Sequence, residues 1–175
     1  MLIHNPHNDD EVTLENDPTT PKTVWKIHAL TFSERRAVDR RAGPAPLRAL
    51  VVHGQVHPPR TDAQLAALRR MTKAEKEAEQ AQRVTEAQAR LDALSVGERV
   101  LYDKAADWYA AYDLAVCVYG VDAIDGDEQI NVESALECMR PVDAVRLVLG
   151  ELAGKISALS QVDDEKKEPS PSPAG

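Results

Sequence analysis

The sequence predicts a mainly α fold: a helical domain with a short N-terminal β element and disordered termini. Three observations point there. Composition is rich in alanine and poor in glycine and aromatics (8 Gly among 175 residues, aromatic content 4%), which favours helices over a sandwich or barrel. Apolar residues in 95–120, SVGERVLYDKAADWYAAYDLAVCVYG, recur at spacings of three and four, the period of a helix with one broad buried face. Two capping boxes, Thr31 with Glu34 and Ser95 with Glu98, mark helix starts.

Taken in order, residues 1–21 read as a flexible arm, punctuated by Asn-Pro, Asn-Asp, Asp-Pro and Thr-Pro and too polar to order itself. His4, His7, Asp9 and Asp10 can be drawn as a metal cluster, but in a Pro-broken arm solvated side chains are the plainer reading. Residues 22–60 form a small strand-helix segment. Thr23, Trp25, Ile27 and Ala29 alternate with Val24, Lys26 and His28, giving a short strand with Trp25 and Ile27 on one face and an exposed His28 on the other. Thr31 then opens a helix to about Arg41, with Leu30, Phe32 and Val38 inward, ended by Gly43, Pro44 and Pro46. The stretch LRALVVHGQVH reads either as a short strand or as the end of another helix, broken at Gly54. His53 and His57 have the spacing of two ligands on a helix, but the glutamate of a zinc-protease helix is missing between them.

Residues 61–94 read as one long Ala/Glu-rich helix, capped by Thr61 or Asp62, with a modest stripe of Leu65, Leu68 and Met71 and then only Val84, Leu91 and Leu94. Sustained heptads are absent, so a spacer or docking surface fits better than a two-stranded coiled coil. Residues 95–162 form the helical core. The central helix carries Val96, Val100, Leu101, Ala105, Trp108, Tyr109, Tyr112, Ala115, Val116 and Tyr119 on its apolar face, with Gly120 as a left-handed stop. Asp122, Asp125, Asp127 and Glu128 then make an acidic turn without EF-hand register, read as a small hairpin with Ile124 and Ile130 tucked in. VESALECM is a short helix. Pro141 suits the first position of a last helix to about Ser160, whose stripe (Val142, Val145, Leu149, Leu152, Ala153, Ile156, Leu159) should pack on the central one. Residues 163–175 read as a disordered tail.

A net charge of −8 argues against nonspecific nucleic-acid binding by the whole chain. Residues 31–60 nevertheless hold six arginines against two acids, so a regulator using Arg35, Arg36, Arg40, Arg41 and Arg48 is one alternative, with a solvated helix face as the bland one. Cys117 and Cys138 sit inside helical patterns without CxxC spacing and read as buried thiols of a reducing compartment. With no secretory apolar region and no run long enough for a bilayer, the expectation is a soluble, intracellular protein without membrane contact. Phosphate loops, GxSxG elbows, HExxH helices and paired cysteine ligands are all missing from the sequence. The lone carboxylates of the central helix, Asp103, Asp107 and Asp113, are not a ferritin-type set. The expectation is therefore no enzyme: no catalytic residue, no metal and no cofactor.

Two stretches carry a family resemblance. One is TVWKIHALTFSERRAVDR, a Trp-bearing strand, an Ala-Leu-Thr junction and a charged helix. The other runs from YDLAVCVYG through VDAIDGDEQ to the amphipathic helix with ELxxxI and its charged tail. Over residues of about 20–42 and 100–167 the chain resembles the small tail-assembly chaperones of long-tailed bacteriophages. That resemblance implies a protein of the host cytoplasm that binds the tape-measure protein, keeps its long apolar helices soluble, and is later displaced by tail-tube subunits. Trp25, Phe32, Trp108 and Tyr112 would be the partner-binding residues where exposed, core residues where not. Self-association and a structural virion accessory role, in the head-tail region or tail, are further expectations. The family is often also made in a frameshifted longer form, and Glu165-Lys166-Lys167 permits slippery codons.

Overall fold

The computed structural model describes residues 10–129, 131–139 and 142–167. Its elements are β1 (Asp10–Thr13), β2 (Val24–Ile27), α1 (Phe32–Ala42), α2 (Leu47–Val56), α3 (Asp62–Arg70), α4 (Lys73–Asp92), α5 (Val96–Gly120), β3 (Val121–Ile124), α6 (Val132–Cys138) and α7 (Val142–Lys167). The architecture is mainly helical with a small sheet, as composition and periodicity predict. Two compact units are present. One comprises the chain up to Pro44 together with the part from Tyr109 onward, and the other is Ala45–Trp108. Ile130, Arg140, Pro141 and the tail after Lys167 lie outside the described residues, as do the first nine residues with His4, His7 and Asp9.

The first unit is built on an antiparallel sheet in the order β1-β2-β3, with Val12 opposite Trp25 and Trp25 opposite Ile124. Strand β1 and the turn after it correct the flexible-arm reading over residues 10–21. Leu14 behind it is fully buried. Its backbone neighbours are held from far away: the Glu151 carboxylate accepts from the Glu15 and Asn16 amides at 2.8 and 3.0 Å, and Lys22 Nζ donates to the Leu14 and Glu15 carbonyls. Asp17 organises the turn into β2, accepting from Thr19 N, Thr19 Oγ1 and Thr23 N at 2.7–2.9 Å. Such order comes from partners distant in sequence, which local polarity does not register.

Trp25, Ile27, Val38, Val116, Val148, Leu152 and Ile156 form the centre of this unit's core. The α7 stripe is inward as expected at Leu149, Leu152, Ala153 and Ile156, and Val148 joins it. Helix α7 continues to Lys167, past the Ser160 end that composition suggests and into the stretch read as disordered tail. Gly120 is also different from expectation. Its backbone is not left-handed; the positive-φ glycines among the described residues are Gly43 and Gly126. A Cβ there would lie 2.6 Å from Ile156 Cγ2, so glycine is required by the close approach of α7 rather than by a helix stop.

The second unit contains α2, α3, α4 and the first half of α5. The ambiguous 47–56 stretch is helix, packed on α4. The single long helix expected over 61–94 is two, broken at Met71 because Thr72 and Glu75 form a capping box of their own; Thr61, not Asp62, caps α3. The buried apolar residues of this unit are Ala49, Val52, Val56 and Ala105, and neither α3 nor α4 contributes one.

Candidate partner-binding surface

The four residues singled out in the sequence separate on burial. Trp25 has 0% exposure, filling the centre of the sheet, so it cannot touch a partner in this fold. Its neighbours Val12 and Ile124 sit opposite it in the adjoining strands. Tyr112 is half-buried against the same core, and burial, then Asp39 and Asp113, push its phenol above the ordinary range. Trp108 is half-buried in the other unit. Phe32 alone is open, at 75% exposure, because it is the first residue of α1 and stands outside the helix's inner face; the Arg36 guanidinium lies 5.6 Å from its ring centroid. The inward position expected for Phe32 is thus corrected.

The arginine run of α1 is divided among different tasks. Arg35 turns inward, donating from Nε to Leu30 O and from Nη2 to Ser160 O, and Arg41 pairs with Glu133 of α6 at 2.6 Å. That leaves less of a continuous basic face than the sequence suggests.

His28 overturns the expectation of an exposed side chain: it is 6% exposed. A register shift between Lys26 and Ile27 ends regular pairing there, and the His28 amide donates to Gly120 O. Its Nδ1 stands 2.9 Å from Asp122 Oδ2, and its Nε2 stands 3.4 Å from Glu34 Oε1. Burial pushes Glu34 up, but hydrogen bonds from Thr31 and then the nearby His28 hold it below the ordinary carboxylate range. A carboxylate-oriented imidazole is half of a nucleophilic triad, yet the ring's other nitrogen faces a second carboxylate rather than a hydroxyl or thiol. The arrangement ties α1 and β3 to the end of β2.

Cys117 is buried as expected, its thiol pushed far up by burial and then by Asp113, whereas Cys138 is exposed, which corrects its buried reading. Among the described residues, no three His, Cys, Asp or Glu side chains converge to hold a metal ion. No helix among them is long and apolar enough to cross a membrane.

The larger open surfaces belong to the 45–108 unit; the sequence singled out Leu65 and Val84 there, but placed Val96 and Val100 on the buried face of the central helix, which their exposure corrects. Leu47 and Val51 are exposed one turn apart on α2, Val96 and Val100 one turn apart on α5, and Leu65 and Val84 stand 41% and 59% exposed on α3 and α4. Spacing was the available signal, but the same spacing describes a buried stripe. An open cleft of about 670 Å³ also lies in this unit, with His57, Arg60, Gln80, Arg83, Arg90 and Tyr102 in its walls. The imidazoles of His53 and His57 are 4.8 Å apart, His53 stacks on Tyr102, and His57 Nε2 lies 2.8 Å from the Tyr102 hydroxyl. No protein-family model, curated protein or solved structure matches the chain at a significant level.

Proposed function

We propose that the protein is a non-enzymatic assembly factor of the tail-assembly-chaperone kind its sequence resembles. In that role it would cover apolar helices of a tape-measure protein in the host cytoplasm until tail-tube subunits displace it. The observation that supports this reading is the unit 45–108: two amphipathic helices, α3 and α4, bury no residue of their own, while apolar pairs on α2 and α5 are left open. Helix faces of that kind bind other helices by the i, i+4 anchoring of a helix-in-groove contact. The proposed contact set moves accordingly, from Trp25, Phe32, Trp108 and Tyr112 to Leu65, Val84, Val96 and Val100 of this unit.

Native capture of the full-length chain, co-expressed with the proteins of its own genomic neighbourhood and read by mass spectrometry, tests this. Recovery of one very long, helix-rich protein is the expected result, with Leu65→Glu and Val84→Glu weakening capture while circular dichroism stays unchanged. Recovery of the chain as a stoichiometric component of purified particles would replace the chaperone reading with a virion accessory one. Capture of nothing, or of nucleic acid alone with steep salt dependence, would end it.

A further inference from the structure

We propose that the cleft of the 45–108 unit binds an oxyanion, a phosphate or carboxylate group, held by Arg60, Arg83 and Arg90. The inference stands apart from the helix-binding reading, since it uses different residues and a polar ligand. It starts from helix α2, whose last carbonyls have no partner within the helix. Arg90 Nη1 donates to the carbonyl of Val56, the last residue of α2, at 3.4 Å, and Arg83 Nη2 donates to Pro58 O, two residues beyond the helix, at 2.9 Å, which brings two guanidiniums from α4 near the helix's negative end. Arg60, just past the Pro58-Pro59 bend, joins them in the cleft wall.

Binding two backbone carbonyls uses a small part of what these groups offer. A guanidinium carries five N–H donors in a fork that matches carboxylate and phosphate oxygens. Arg60 pairs with Glu79 at 2.6 Å and Arg90 with Glu86 at 3.1 Å, whereas the Arg83 hydrogen bond goes to a neutral carbonyl. Three guanidiniums therefore meet two carboxylates, an excess of positive charge at the cleft. Arg60 Nε adds a second observation: it is buried and has no hydrogen-bond acceptor. Buried donors without acceptors are uncommon; this one is closed to solvent, so an arriving oxygen would satisfy it only as the Arg60 side chain, 25% exposed, turns toward the cleft.

The neighbouring histidine reports the same field. Burial first, then the Arg83 and Arg90 guanidiniums, hold the His57 imidazole below its ordinary range. The groups facing His57 are His53, Tyr102, Arg83 and Arg90, and none of the first pair supplies negative charge at neutral pH. A bound oxyanion would offset the arginines and make protonation of His57 easier. Anion uptake and proton uptake would be linked.

The test is an NMR titration of the full-length chain with inorganic phosphate, against sodium chloride at matched ionic strength, with a glutamate-rich peptide as a second arm. Saturable shifts at His57 and Tyr102, with the His57 titration moving to higher pH as phosphate saturates, are expected. Arg83→Gln and, separately, Arg60→Gln should each weaken binding about tenfold or more. The Arg60 variant leaves the Arg90–Val56 and Arg83–Pro58 hydrogen bonds in place, so a folding defect in the Arg83 variant does not decide the matter. Displacement of phosphate by the peptide would identify the source as acidic side chains; saturable phosphate binding that the peptide does not compete for would identify a free phosphate group. A response equal to that of chloride, no saturation in either arm, or wild-type binding by both folded variants would overturn the proposal.

Discussion

The two units differ in how they are held together. In the unit formed by the chain's two ends, a tryptophan, several β-branched residues and the α7 stripe interlock around a three-stranded sheet. The 45–108 unit buries little more than Ala49, Val52, Val56 and Ala105, and closes its polar ends with arginines instead. One unit is stabilised by removing apolar surface from water. The other leaves that surface available. The contrast separates residues whose loss unfolds the protein from residues whose loss changes only what it binds.

The largest expected effect is Trp25→Ala, which should lower unfolding free energy by about 3–5 kcal/mol in urea titrations, since the side chain has no exposure. Gly120→Ala comes next, about 1–3 kcal/mol, because the new methyl meets a fully buried Ile156 that has nowhere to turn. A double-mutant cycle with Ile156→Ala should show coupling between the two; strict additivity would remove the close-approach account of this glycine. Asp17→Ala should cost about 1–3 kcal/mol by leaving the Thr19 and Thr23 donors without their acceptor. By contrast, Leu65→Ala and Val84→Ala should stay within about 0.5 kcal/mol of the parent. A large loss at either would mean that α3 and α4 carry more of the stability than their burial suggests.

The pH dependence sharpens the comparison. Burial pushes Asp17 up, but hydrogen bonds from Thr19 and Thr23 outweigh it and set the carboxyl below its ordinary range. A lowered acid contributes stability that is present above its unfolded pKa and is lost as pH falls through the folded one. The gap between parent and Asp17→Asn should therefore close on acidification. Asp113 runs the other way: burial raises it, so its ionised form opposes folding at neutral pH. Asp113→Asn should stabilise at neutral pH, with the gain shrinking as pH falls through the raised folded value and then below the unfolded one. Urea titrations across the acid range measure both.

Helical class, the capping boxes at Thr31 and Ser95, the α7 stripe and the Ala105, Ala115 and Val116 positions of α5 were legible, because each depends on spacing within a few residues; Val96, Val100 and Tyr109, read on the same buried face of α5, are exposed. What could not be read depends on distant partners. Strand β1 is ordered by Glu151 and Lys22 as much as by its own alternation, and His28 is buried because Asp122 and Glu34 come to it from two other elements. The break at Thr72 is a different kind of miss: Thr72 and Glu75 carry the same box as Thr31 and Glu34, and alanine-rich flanks concealed it. For the candidate surface, sequence supplied apolar spacing but not which side was covered. The arginine cleft assembles residues from Val56 to Tyr102 and has no linear signature.

Three of the four capping boxes seen among the described residues, at Thr61, Thr72 and Ser95, belong to the unit with the smaller core. Each fixes the first turn of its helix by local bonds, the step that limits helix formation in water. A ligand arriving at this unit would thus meet helices already begun, and little ordering entropy would remain to be lost on contact. Association should then run at the rates of rigid docking, about 10⁵–10⁷ M⁻¹s⁻¹. Its heat-capacity change should reflect the area covered rather than the folding of a segment.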